Sequence, residues 1–483
     1  MSARDRIAQL EARVEALLVE VERLQGFEAR VGELEKENAA LKEKLGKSSR
    51  NSSKPPSSDG PREPPRRRKA PTGRKPGGQA GHDRHERALL PVEAVDRLVV
   101  LKPSRCEDCG ERLTGTDVTP RRHQVLELPE VRPHVTEYQL HALTCACGAA
   151  TTAELPKGVP TGSFGASVIA VVALLMGVYR LSKRAVPDVL YDLFGLSMSV
   201  GAVVGCQHKA SEALAGPFEE ARLAVIEAPV KHADETGWRE ARRRAWLWVV
   251  VTSTLTVFMV HARRNSDAAR QLLGKAGGAL VTDRHGAYNW WPRKLRQFCW
   301  AHLIRDFTAI AERGHASERI GNALIAEATR MFDWWHRLRD GKLTRSTFRV
   351  YMRDLQRRVE DLLREGTTCL HPKTEETCKK LLVAVDSMWT FVYVVGVEPT
   401  NNIAERAVRH AVLWRKACYG THSERGSRFV ERILTTHASL RQQRRSVLDF
   451  IRIACVAQLH GLAPPSLLVS ADQAAGLTLA VAA

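Results

Sequence analysis

Residues 230–264, VKHADETGWREARRRAWLWVVVTSTLTVFMVHARR, decide the fold. They read as three strands, VKHADETGW, AWLWVVVTS and TVFMVHARR, with turn signals between them. A helical pattern follows over Ser266–Leu273. A strand in GALVTDRHGAY then ends at Asp283, and LRQFCWAHLIRDF reads as a strand running into a helix. Residues 303–395 read as all-helical, with Trp334, Trp335 and Trp389 as core anchors, and one more helix starts after Asn401. Three strands, a helix, two strands, a helical stretch and a last helix make an α/β order with an all-helical insertion late in it.

The rest of the chain frames that core. At 483 residues, 44% of them hydrophobic, there is material for roughly two to four domains. A formal net charge of +19 favours a polyanionic partner such as nucleic acid. Ten cysteines, two close pairs and six scattered, fit a reducing compartment and one metal site rather than a disulfide framework. The N-terminus lacks the basic-then-apolar pattern of a secretory signal. The longest apolar run, Ser167 to Tyr179, is too short to span a bilayer and reads as a buried helix. A cytoplasmic protein without membrane attachment is expected.

Residues 1–46 carry apolar side chains at Ile7, Leu10, Val14, Leu17, Val21, Leu24, Phe27, Val31, Leu34, Leu41 and Leu45. Steps of three and four, with one three-three step at Leu24–Phe27, predict a coiled coil that joins copies of the chain. Asn38 falls at an apolar position, where it fixes register. Residues 47–90 are a Pro/Gly/Ser-rich linker with twelve Lys or Arg against four acids. Arg66, Arg67, Arg68, Lys69, Arg74 and Lys75 are candidate phosphate contacts there, although a solvated tether has the same composition. Residues 159–226 read as helical. Two patterns broken at FGLS, with Ser197 as the second cap, resemble a helix-turn-helix DNA-binding domain. The tail, 463–483, is small and apolar.

Two groups of residues carry chemistry. Within 91–158, Cys106-x2-Cys109 and Cys145-x-Cys147 are each followed by glycine, which permits the tight turn that aims two sulfurs at one ion. Four thiolates suit a closed, structural Zn²⁺ site, with His123 and His141 as alternative ligands. Asp234 and Asp283 lie at apparent strand ends, and Glu405 lies one turn into the helix opened by PTNN. Three acids meeting there would bind Mg²⁺ or Mn²⁺ and serve as catalytic residues in phosphodiester chemistry. Taken singly, they read equally well as turn residues, with Asn401 as a helix cap and Glu405 paired to Arg409. Glu235 is the rival acid, placed second because strand alternation turns it to the opposite face.

The order of the motifs resembles that of DDE-type insertion-sequence transposases of the insertion-sequence-sixty-six group. The resemblance is carried by the N-terminal zipper, SSRNSSKPPSSDG, RKPGGQAGH, CEDCG and CACG, ADETGWR, TDRHGAY with FCWAHLIRDF, and TNNIAERAVR. It implies an RNase H-like core in two parts, 227–302 and 398–462, around a helical insertion at 303–397. It also implies Asp234, Asp283 and Glu405 as the metal-binding triad, with Arg406 and Arg409 contacting DNA or bracing the acids. The implied activity is binding of double-stranded element ends, strand cleavage and transfer of 3′ ends to target DNA. Small accessory proteins and a bacterial, nucleoid-associated location are implied too. A non-catalytic DNA-binding derivative and a nuclease without strand transfer are the alternatives. The chain departs from the group in having Arg284 and His285 before Gly286, and in RKACYGTHSERGSRFVERI. His302 and Arg305 suit structural or phosphate-contacting roles.

Overall fold

A computed structural model describes residues 3–52 and 87–469. The linker arginines and lysines 66–69, 74 and 75, and residues 470–483 of the tail, lie outside them. The described residues fall into two compact units, 87–134 and the remainder.

Helix α1, Ala3–Leu45, is continuous over 43 residues, as the heptads predict. Val14, Leu17, Val21, Leu24, Phe27, Val31, Leu34 and Leu41 stand about half exposed along it. In residues 87–158 the only strands among the described residues are β1, Ala142–Thr144, and β2, Ala150–Thr152, which pair antiparallel. The strand pattern read in HVTEYQLHALTC survives only in its last residues.

Helices α2 (Ala166–Gly177), α3 (Ala185–Phe194), α4 (Val200–Ala213) and α5 (Ala215–Glu227) follow. Gly195, at φ 64°, ends α3, so the predicted break is real. The cap of α4 is Ser199, whose Oγ accepts from Ala202 N–H, rather than Ser197. A groove-reading helix needs an exposed polar face. α4 exposes only Val200, Gly201 and Glu212 and buries Val203, Cys206, Gln207, Ala210 and Ser211. It packs on α2 and on two helices from the C-terminal end of the chain. Much of it is committed to the core, with His208 and Lys209 half-exposed beside the buried face.

Next come β3 (Val230–Glu240), β4 (Arg243–Val251), β5 (Thr256–His261), α6 (Ser266–Leu273), β6 (Ala279–Thr282), β7 (Arg296–Phe298) and α7 (Trp300–Ala311). The five strands form one sheet in the order β5-β4-β3-β6-β7. The first three are an antiparallel meander, and β6 and β7 run parallel to β3. The insertion is helical: α8 (His315–Arg339), α9 (Arg345–Gly366), α10 (Pro372–Val383) and α11 (Thr390–Tyr393). Trp335 and Trp389 are buried in its core with Phe348 and Phe391, while Trp334 is half-buried against Tyr351. The chain returns as α12 (Asn402–Cys418), which packs on β3 and β4, then α13 (Glu424–Gln442) and α14 (Val447–His460).

The outer edge of β5 is closed by side chains. Thr256, Phe258 and Val260 N–H donate to Ser439 Oγ (3.0 Å), Thr435 Oγ1 (3.0 Å) and Glu431 Oε1 (2.7 Å) of α13. Two residues of strand and four of helix both advance about 6 Å, so the rows match. That satisfies an edge that would otherwise offer free N–H groups, and it fixes α13 to the sheet.

Candidate active site

Register places the first two acids. His232 of β3 pairs with Val281 of β6, and two residues further along each chain stand Asp234 and Asp283. Both lie at the carboxyl end of the parallel pairing, where α/β sheets gather ligands. Glu405 comes from the first turn of α12.

Asp234 feels all of them. Burial pushes its carboxyl well above the usual carboxylate range, and the charges of Glu235, Asp283 and Glu405 add to the shift. A hydrogen bond from Glu235 N–H (2.9 Å) opposes it. No ion pair reaches Asp234 among the described residues. Asp283 Oδ1 accepts from His285 N–H (2.8 Å).

Residues that the sequence did not mark hold this end of the sheet. Arg296 is buried, and burial lowers its guanidinium to about 10. It donates to Thr282 Oγ1 and to the carbonyls of Asp283 and His285, which fixes the turn after β6. Arg284 reaches Asp306 of α7 at 2.6 Å, and His285 Nδ1 caps the next turn by accepting from Ala287 N–H. Arg284 and His285, which depart from the group's pattern, therefore belong to that turn and its anchoring.

Glu235 sits on the opposite face, as alternation requires. It is buried, and its oxygens are taken by Arg264 (2.7 Å) and Tyr288 Oη (2.5 Å).

Asn401 does not cap α12 with its side chain. Its Nδ2 donates across to Ala233 O (2.8 Å), and its backbone N–H donates to Cys299 Sγ (3.2 Å). The asparagine is a cross-link from the start of α12 to the residue before Asp234. The Glu405–Arg409 pair is not formed among the described residues; Arg406 and Arg409 are exposed on the outside of α12.

Cys299, His302 and Glu405 form a second donor group, their ligand atoms within 4.8 Å of one another. His302 Nδ1 is 3.7 Å from Glu405 Oε1 and has no hydrogen bond of its own. Burial pushes the Cys299 thiol up to about 11.

Each cysteine turn forms as its glycine predicts. Gly110 (φ 74°) donates to Cys106 O, and Gly148 (φ 86°) donates to Cys145 O. Hydrogen bonds from the backbone N–H of Cys109 hold the Cys106 thiol down, and those of Cys147 hold the Cys145 thiol down. Both thiols are biased toward the metal-binding thiolate.

A mixed α/β core with acids gathered at the carboxyl end of its parallel strands belongs to the class of folds that do chemistry at that end of the sheet. The chain belongs to the IS66 transposase family, whose pattern matches residues 159–429, more than half of its length. That family is of nucleotidyl-transferase type. Residues 2–88 match a family of unknown function (DUF6444). No curated protein matches the chain. No described helix is long and apolar enough to cross a membrane.

Proposed function

We propose that the chain binds the ends of its mobile element, cleaves them with Asp234, Asp283 and Glu405, and joins the 3′ ends to target DNA. The observation that carries this reading is the position of Asp234, half-buried among three carboxylates and with no cationic partner among the described residues. Such a pocket is electrostatically incomplete, and hard divalent cations with oxygen preference complete it. Asp234, Asp283 and Glu405 would hold Mg²⁺ or Mn²⁺, which when bound supplies Lewis-acid activation of water or a 3′-hydroxyl. The chain's own part is to orient the acids. Register aligns Asp234 with Asp283, Arg296 fixes the turn of Asp283, and Asn401 ties down the turn of Glu405. The strand order and the placement of the acids support an RNase H-like core.

The test is a duplex carrying the element's ends, incubated with purified protein and Mg²⁺. Cleaved 3′ ends joined to a second duplex are expected. Cleavage without joining would leave a nuclease, and binding without cleavage a non-catalytic relative.

The two thiol pairs are proposed as Zn²⁺ ligands, and the exposed stripe of α1 as the surface that pairs copies of the chain. Zinc is expected to stay with the protein through dialysis and to fall in Cys106→Ser, measured by elemental analysis. Unchanged zinc content would remove Cys106 from the ligands.

A further inference from the structure

The tip of the β3–β4 hairpin breaks two local rules. Its pairing runs to Glu240–Arg243, which leaves a two-residue loop of Ala241 and Arg242. Both have positive φ, 47° and 67°, in a turn where Asn-Gly is the usual solution. Around the loop stand Arg239, Arg242, Arg243 and Arg244, all exposed and none in an ion pair among the described residues. A strained turn carrying four like charges is retained where something other than folding requires it.

The tip is also rigid. Thr421, in the connection between α12 and α13, accepts from Ala241 N–H and donates its own N–H to Arg239 O, each at 2.9 Å. Trp238 Nε1 donates to Thr421 Oγ1, and Ser427 donates to the Glu240 carboxylate. A Cβ at Gly420 (φ 117°) would stand 2.3 Å from Arg239 O, so only glycine lets the two segments meet. The stretch of RKACYGTHSERGSRFVERI that follows α12 thus serves as a strap for the hairpin.

Beside the tip lies a cleft of about 510 Å³, lined by Gly237, Arg239, Arg242, Arg244, Trp246 and Arg415. The Arg244 and Arg264 guanidinium groups lie 5.1 and 4.8 Å from the centroid of the Trp246 ring. Arg415 belongs to α12 and donates to Thr236 Oγ1 on β3. At 1.5 Å per residue, Glu405 and Arg415 are about 15 Å apart along that helix. Exposed Arg406 and Arg409 stand between them. Fifteen ångströms is about four phosphates of one DNA strand.

We propose that the hairpin tip, Arg239 to Arg244, grips the phosphate backbone of duplex DNA flanking the position held at the acids, as planar guanidinium groups do with phosphate. The proposal rests on the transposase reading. It is tested on the full-length protein with a duplex in metal-free buffer, where cleavage plays no part. The variant is Arg242→Gly/Arg243→Gln/Arg244→Gln, with Arg242→Gly alone beside it. Affinity is measured over about 50–200 mM salt. The slope of log K against log salt is expected to become shallower by about 3 in the triple variant and about 1 in the single one. Melting temperature should hold or rise, since strain and repulsion are both relieved. A slope unchanged in the single variant, with the parent binding normally, overturns the proposal and leaves the transposase reading standing. A parent that shows no salt-dependent binding to duplex DNA overturns both. If the triple variant melts early, the single variant decides the matter.

Discussion

Asp234→Asn is expected to bind DNA, melt higher than the parent in metal-free buffer, and fail to cleave. Activity is lost because the side chain no longer offers a charged oxygen to a divalent ion. That ion stabilises transition-state charge by several kcal/mol. At about 1.4 kcal/mol per decade, the loss is roughly 10³-fold or more. Stability is gained because the same carboxylate is a burden without the ion. Asp234 is half-buried beside Glu235, Asp283 and Glu405, and its folded carboxyl titrates well above the ordinary 3.8. The native state therefore holds that proton more tightly than the unfolded chain does. Metal-free stability falls as pH rises from the ordinary value through the raised one, and stays low above it. Asparagine removes that slope. The variant's advantage should vanish below about pH 3.8 and be full at neutral pH. Each kcal/mol of relieved repulsion is worth roughly 2–4 °C. Mg²⁺ should raise the parent's melting temperature and leave the variant's nearly unchanged. Scanning calorimetry across pH, with and without Mg²⁺, reads all three. Equal melting at neutral pH would mean the acids are not crowded, and a variant that still cleaves removes Asp234 from the chemistry.

What the sequence disclosed follows from which interactions are local. β4 and β5 are legible because nearly every residue in WLWVVV and TVFMV is branched or aromatic and buried, a pattern that needs no knowledge of neighbours. Asp283 could be placed because it ends such a run, whereas Asp234, read at a strand end, lies within β3, which continues to Glu240 against β4 while its parallel pairing with β6 stops at His232. Arg296 could not be placed. It occupies one of the three residues of β7, and a buried arginine reads from sequence as surface charge. The same limit applies to α4. Periodicity marks it as a helix, but the helices that cover it arrive more than 200 residues later. Ser197 and Ser199 are equally good caps in composition. Leu196 and Met198 pack against the core, and the helix starts one step beyond them. The hairpin tip shows in sequence only as a turn signal between two strands, because the strap that fixes it comes from Thr421, some 180 residues away. Asn401 is the sharpest case. An asparagine before a helix predicts a cap, and the cross-link to Ala233 has the same local sequence.

That cross-link makes Asn401 a positioning residue, and Asn401→Ala separates position from stability. Asn401 is 1% exposed, and its carbonyl accepts Glu405 N–H at 3.1 Å. One side-chain bond therefore joins the turn bearing Glu405 to the residue preceding Asp234. Its removal leaves the Ala233 carbonyl without that partner, at a cost of about 1–3 kcal/mol. The rest of α12 stays anchored by Ala404, Val408, Ala411 and Trp414, all buried. The helix should persist while its first turn loosens. Displacing a ligand by even about 1 Å costs around 10²-fold in rate, and loss of an outer partner weakens metal binding by about 10–100-fold. Activity should therefore fall about 10²-fold at low Mg²⁺ and recover partly as Mg²⁺ is raised. DNA affinity should not change. Amide exchange at Glu405 should quicken relative to Val408. Asn401→Asp should be worse, since it sets an acceptor against the Ala233 carbonyl and adds charge beside Asp234. A purely structural asparagine would behave otherwise, lowering the melting temperature while leaving the Mg²⁺ requirement where it was. The shift in that requirement is what identifies Asn401 as the residue that holds Glu405 in register with the two aspartates.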